Sequence, residues 1–135
     1  LKMSVAVVKH EGSCHCGSVK WEVTAPEILN VIRCNCSVCR KKGNDHFIVS
    51  STCFRLIQGE DSLVTYTFNT HQAKHKFCKH CGVQSFYIPR SNPNDYGVMP
   101  HCIDSDTVKG IELTEFNGDT WEEEIKTKAP KAFVQ

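Results

Sequence analysis

The polarity of this chain changes with a short period. In "SVKWEV", Val19, Trp21 and Val23 alternate with Lys20 and Glu22, as in a strand with one buried face. In "NVIRCNC" the same two-residue period sets Ile32, Cys34 and Cys36 on one face. The runs "HFIVSS", "CFRLIQ", "LVTYTFNT", "KHKFC", "QSFYIP", "YGVMPHC" and "GIELTEF" are further strand candidates. Gly59-Glu60-Asp61 reads as a turn between two of them, and Pro89, Pro93 and Pro100 fall where strands end or lie at an edge. Helical spacing is scarce. Thr120 with Glu123 three residues on has the form of a capping box leading into Trp121 and Ile125, and Ser37 through Lys41 fits one short turn. The pattern predicts a mainly β fold of many short strands with little helix.

The 135 residues suit one domain with a real core, and neither a repeat nor a linker interrupts them. A formal net charge of +1 gives nucleic acid or a membrane surface no global hold. No apolar run approaches the ~18 residues that a membrane span needs. The opening "LKMSVAVVKH", with Met3 as a candidate start, lacks the long apolar stretch and small-residue cleavage site of a signal peptide. Charge is unevenly placed. Arg33, Arg40, Lys41 and Lys42 flank one group of cysteines, Lys74, Lys76 and Lys79 flank another, and the stretch from Asp104 to Glu124 is acidic.

Nine cysteines are many for this length. The count is odd, and most of them sit one to three residues apart. Such neighbours are poor disulfide partners and good chelators, so a metal-binding protein of a reducing compartment, cytosol or nucleus, is expected. Three clusters stand out: "CHCG" (Cys14, Cys16), "CNCSVC" (Cys34, Cys36, Cys39) and "CKHCG" (Cys78, Cys81), with Cys53 and Cys102 apart. The first and last end in Gly17 and Gly82, which can turn backbone N–H groups toward the sulfurs. These two arms can meet as one tetrahedral four-cysteine site, although a shared ion between the first two clusters is an open alternative. Apparent zinc-binding energies on the order of 10–16 kcal/mol can offset the closure of so long a loop.

Cys34, Cys36 and Cys39 can wrap three faces of one ion by themselves. Three thiolates around zinc carry a net charge of −1 and favour a soft fourth ligand such as an incoming thiol. A fourth ligand from Cys53, Cys102, His46, His75 or His101 would instead close the site as a second structural one, and spacing leaves both arrangements standing. His15 and His80 read as spacers inside their motifs. His101, in "PHC", and His46 are the candidate catalytic residues. Cys53 and the aromatics Trp21, Phe47, Tyr66, Phe68, Phe77, Phe86 and Tyr87 read as core, and "SNPND" as a turn bordering a site. Arg40, Lys41 and Lys42 are candidate substrate-binding cations, able to lower a thiol pKa or hold a carboxylate within about 8–10 Å.

The ordered motifs "GSCHCGSVKWEV", "CNCSVCRKKG" and "FCKHCGVQSFY" resemble the glutathione-dependent formaldehyde-activating enzyme family. "HFIV", "YTFNTHQAKHKFCKHCGVQSFYIPRSNP", "PHCID" and "EFNGDTWE" look especially like its centromere protein V branch in animals. The resemblance implies a tent-like β fold of several short coiled antiparallel sheets around zinc. It divides the chain into an N-terminal strand or tail (1–11), a zinc-binding domain (12–125) and a C-terminal tail (126–135). It implies two zinc ions, a structural one on Cys14, Cys16, Cys78 and Cys81 and a second on Cys34, Cys36 and Cys39. Glutathione or a similar small thiol is the implied partner. The implied activity is that of a carbon–sulfur lyase, making and cleaving S-hydroxymethylglutathione. The alternative expectation is a non-catalytic zinc module that binds a protein partner.

Overall fold

The computed structural model of the protein describes residues 6–135; the candidate start at Met3 and the first five residues of the expected N-terminal strand or tail lie outside the described residues. Ten strands follow in chain order. They are β1 (Val7–Ser13), β2 (Lys20–Pro26), β3 (Ile28–Cys34), β4 (Phe47–Ser50) and β5 (Phe54–Gln58), then β6 (Leu63–Tyr66), β7 (Lys74–Cys78), β8 (Phe86–Ile88), β9 (Asp95–Val98) and β10 (Gly110–Phe116). Two short helices, α1 (Ser37–Lys42) and α2 (Trp121–Lys128), accompany them. The fold is mainly β, in three sheets with little helix.

The sheets are β1-β2-β5, β4-β9-β8-β7-β6, and the pair β10-β3. The first two are antiparallel throughout, as expected. The third is parallel, with Ile28 opposite Gly110 and Cys34 opposite Phe116. Alternation reports which face a strand buries, not the direction of a partner more than seventy positions away, and no hairpin constrains this pair.

The core lies between the three-stranded and five-stranded sheets. Trp21, Val23 and Ala25, on one face of β2, are fully buried with Val49, Phe86, Val98 and Met99. Trp21 also donates its indole N–H to Ser85 Oγ at 3.0 Å, so the largest core residue leaves no unpaired polar atom. Phe54 stacks on Tyr96 with ring centroids 4.4 Å apart and joins the same layer. Cys53 and Cys102 are buried in this cluster and join neither group of converging thiols.

Two local expectations turn out differently. The strand in "YGVMPHC" ends at Val98, and Pro100–Cys102 winds into a 3-10 turn. Thr120 is the N-cap of α2 but makes no side-chain capping bond. A 3-10 turn, Gly118–Thr120, runs directly into the helix and leaves Thr120 with ψ 46°, outside the extended geometry that side-chain capping uses. Glu124 takes over by accepting the Asn117 N–H at 2.7 Å. Beyond α2 the chain returns to the domain. The Phe133 N–H donates to Ile48 O and the Ser50 N–H to Phe133 O, both at 2.8 Å, so this stretch lines up beside β4.

Candidate metal centres and active site

The first centre is built from two similar turns. After β1, Cys14 N–H bonds to Val19 O at 3.0 Å; at the end of β7, Cys78 N–H bonds to Val83 O at 3.0 Å. Gly17 (φ 82°) and Gly82 (φ 78°) supply the left-handed residue that each turn needs. Backbone N–H groups then face the sulfurs: Val19 N lies 3.3 Å from Cys14 Sγ, and His80 N lies 3.4 Å from Cys78 Sγ. His15 and His80 are exposed spacers.

These turns bring Cys14, Cys16, Cys78 and Cys81 into one group whose sulfurs all lie within 4.8 Å of one another. Cys16 Sγ is 3.7 Å from both Cys14 Sγ and Cys78 Sγ. A tetrahedron of four thiolates around zinc has edges of about 3.8 Å, so the donor set and its spacing fit that ion. Burial pushes the Cys14 thiol up to about 11. Burial also raises Cys81, but the N–H groups of Cys16 and Val83, with the Cys14 and Cys78 thiols, bring it down to about 6.

The second group, Cys34, Cys36 and Cys39, comes from three local states. Cys34 ends β3, Cys36 is the N-cap of α1, and Cys39 lies one turn along it. Their sulfurs are likewise within 4.8 Å of one another, and no fourth Cys, His, Asp or Glu ligand atom of the described residues joins them. The thiols of Cys34 and Cys39, helped by the Cys39 and Val38 N–H groups, hold Cys36 far below the usual thiol range. In return Cys39 is pushed up, mainly by its bonds to Cys34 and Cys36. The crowded thiols thus favour a thiolate at Cys36, and the all-sulfur donor set suits a thiophilic divalent cation.

Two supports hold this group. An ideal Cβ on Gly118 would lie 2.5 Å from Cys36 Cβ and 2.7 Å from Cys34 Sγ, so the segment after β10 seals the thiols only because it has no side chain there. Gly118 N–H is fixed by Asn35 Oδ1 at 2.6 Å. On the other side runs a polar chain. Lys42 Nζ donates to Gln84 Oε1 and Gln84 Nε2 to Asn44 Oδ1, both at 2.9 Å. Buried Asn44 then points Nδ2 at Cys39 Sγ, 3.6 Å away.

The three cysteines open into a cavity of about 370 Å³. His46, His75, Tyr87, Phe68, Arg90 and Trp121 line it. His46 is buried, and its Nδ1 lies 3.0 Å from Asn44 O, a carbonyl that can only accept. Nδ1 therefore carries the proton, and Nε2 accepts from the Tyr87 hydroxyl at 3.0 Å. Burial lowers the His46 pKa, keeping it neutral, and raises that of Tyr87. With both ring nitrogens engaged, His46 is not free to be a metal ligand. His75 stacks on Tyr87 with centroids 5.1 Å apart, and its buried Nδ1 has no partner.

Other candidates stand apart. His101 is exposed on the 3-10 turn and does not line the cavity. Arg40, Lys41 and Lys42 are exposed and do not line it either. Helix periodicity keeps Arg40, four residues after Cys36, and Lys42, three after Cys39, near the side of the thiols, but Lys42 is drawn to Gln84 Oε1 and none of the three side chains reaches the cavity wall. The cation in the wall is Arg90, in the loop after β8. Neither Arg90 nor Trp121 is marked by the cysteine spacing, though "SNPND" directly after Arg90 was the one signal of a loop beside the site. Tyr87 is a core residue, as expected, that also lines the cavity, whereas Phe68 is half-buried in the cavity wall and Tyr66, in the edge strand β6, is exposed.

Fold and thiol constellation together define a cysteine-rich β domain with two thiol groups that could hold a metal ion. Residues 9–118 match the family described as glutathione-dependent formaldehyde-activating enzyme, and the chain belongs to that family. It is 55% identical over 31 residues to a Halomonas elongata protein whose name carries the same family description. That stretch covers 23% of this chain and 20% of the relative's length. A crystal structure of a Rhodobacter sphaeroides protein superimposes with a TM-score of 0.64 at 36% identity, covering 77% of this chain and 99% of that one.

Proposed function

We propose that the protein is a two-zinc carbon–sulfur lyase that forms and cleaves the adduct of formaldehyde with glutathione or a similar small thiol. The observation that carries this reading is the second thiol group: three sulfurs converge at a cavity with no fourth ligand atom beside them among the described residues. Cys14, Cys16, Cys78 and Cys81 would hold a structural ion, and Cys34, Cys36 and Cys39 a reactive one. Zinc bound there supplies positive charge that favours a thiolate at neutral pH.

The reaction adds a thiol across a carbonyl. A sulfur–carbon bond forms, the carbon–oxygen π bond opens, and the oxygen gains the proton that the thiol gave up. No oxidant is consumed, and cleavage is the reverse. Tyr87 lines the cavity and is hydrogen-bonded to neutral His46, and to this pair we assign the delivery and retrieval of that proton. Arg40, Lys41 and Lys42 act through the local field, which draws anionic thiols toward the opening. Within the family we read the chain as nearest the centromere protein V branch, on "PHCID" and "EFNGDTWE". Nine free thiols suit a cytosolic or nuclear setting.

The test is the exchange of formaldehyde with glutathione, followed by NMR, with wild type and Cys39→Ala. Faster exchange with wild type alone supports the reading; identical rates with and without protein would sink it. Elemental analysis should find two zinc ions per chain, one of them released readily to a chelator. Two equally resistant ions would favour a closed second site.

A further inference from the structure

The cavity is also lined by residues that the thiol chemistry does not use, among them Arg90, Ser91 and Trp121. Arg90 is the one lysine or arginine lining it among the described residues. Its guanidinium carbon sits over Trp121, 3.7 Å from the ring centroid, and Nη2 donates to Glu122 Oε1 at 2.8 Å. The loop that carries it is knitted down. Asn92 N–H bonds to Pro89 O at 3.3 Å, the Ser91 hydroxyl donates to Asn92 Oδ1 at 2.6 Å, and Asn92 Nδ2 reaches Pro130 O at 3.3 Å.

Two observations separate this arginine from an ordinary surface pair. Arg90 has unspent donors, since Nε is buried without a partner and Nη2 alone is engaged among the described residues. Its partner is also poorly held: the Glu122 side chain is 74% exposed against 24% for Arg90. A carboxylate so exposed is screened by water and salt and is easily exchanged. A planar fork already ordered on an aromatic face, in contrast, loses little freedom when it takes a carboxylate. Asp119, the acid in the cavity wall, disfavours a carboxylate on its own side.

We infer that Arg90, stacked on Trp121, binds a carboxylate of the thiol whose sulfur sits at Cys34, Cys36 and Cys39. The site thereby selects carboxylate-bearing thiols, such as thiol peptides, over neutral ones. The inference rests on the open second centre proposed above. Glu122 is the resident acceptor that the incoming carboxylate displaces.

The experiment uses the full chain loaded with cobalt, whose visible absorption changes when a thiolate joins the metal. The titrants are glutathione, its diethyl ester and 2-mercaptoethanol. Wild type should bind glutathione about tenfold more tightly than the ester, as expected for one charge-assisted contact. Arg90→Gln should collapse that ratio, and Glu122→Gln should widen it by removing the competing acceptor. Equal binding of acid and ester by wild type overturns the inference and leaves the open centre standing. An unchanged spectrum with every thiol overturns both. Should Arg90→Gln not fold, Glu122→Gln decides alone, and an unchanged or narrower ratio counts against Arg90.

Discussion

The Tyr87 hydroxyl donates to His46 Nε2 at 3.0 Å, and the two rings meet edge to face with centroids 5.0 Å apart. Asn44 O fixes the tautomer from the far side of the imidazole. The phenol therefore has one defined hydrogen-bond direction, and Tyr87 is among the residues that line the cavity. Tyr87→Phe keeps the ring and removes only the proton carrier. It should slow formaldehyde–thiol exchange by about a hundredfold, the scale of one general acid–base group, while both zinc ions stay bound. NMR exchange rates and elemental analysis on the same sample check both halves; a full rate in the variant would remove Tyr87 from the chemistry.

Gly118 tests the second centre without touching a ligand. A methyl group there meets Cys34 Sγ and Cys36 at 2.5–2.8 Å, including the Cys36 backbone nitrogen, which cannot swing away. Gly118→Ala should cut zinc from two ions per chain to about one. The four-cysteine centre and the circular dichroism of the sheets should be retained. Two retained ions would mean that the segment after β10 shifts freely.

Asn44, Gln84 and Lys42 form a chain that ends on Cys39. Groups that orient a metal ligand from behind typically contribute 10–100-fold in metal affinity. Asn44→Ala should speed release of the second ion to a chromophoric chelator by about that factor, and Gln84→Ala by less. Equal release from wild type and Asn44→Ala would show that the Cys39 contact carries nothing.

His75 makes stability depend on pH. Burial, and then the charge of Lys42, lower its pKa from 6.5 to about 4 in the folded protein. Between these values the unfolded chain binds the proton and the native state does not, so stability falls as pH drops from about 6.5 toward 4. The loss between pH 7 and pH 5 is on the order of 2 kcal/mol. His75→Phe preserves the stack between Phe68 and Tyr87. Urea melts of the two proteins at both pH values should show a shallower decline in the variant; parallel declines would exclude His75 as a source.

Alternation made most strands legible because it reports burial on one face, as at Trp21 and Val23. It was silent on the parallel pairing of β3 with β10, which depends on residues far apart in the chain. The cysteine clusters were legible because thiol spacing is itself the chemistry, and the two glycine-ended turns do come together. The rest of the cavity was not, because it is assembled by tertiary structure. Tyr87 reads as one more buried aromatic until β8 sets it beside His46. Arg90 reads as one more loop cation until Trp121, thirty-one positions later, lies under it. The cations next to Cys39 are close in sequence, but their exposed side chains stay off the cavity wall, Lys42 being held by Gln84.

Pro130 borders the cavity, and Phe133 is hydrogen-bonded to the β4 segment just beyond it. During synthesis the reactive thiols leave the ribosome some ninety residues before this last piece of wall. A nascent chain therefore presents Cys34, Cys36 and Cys39, the ligands proposed above, while the cavity around them is unfinished. The cavity wall is complete only when the final stretch has folded back.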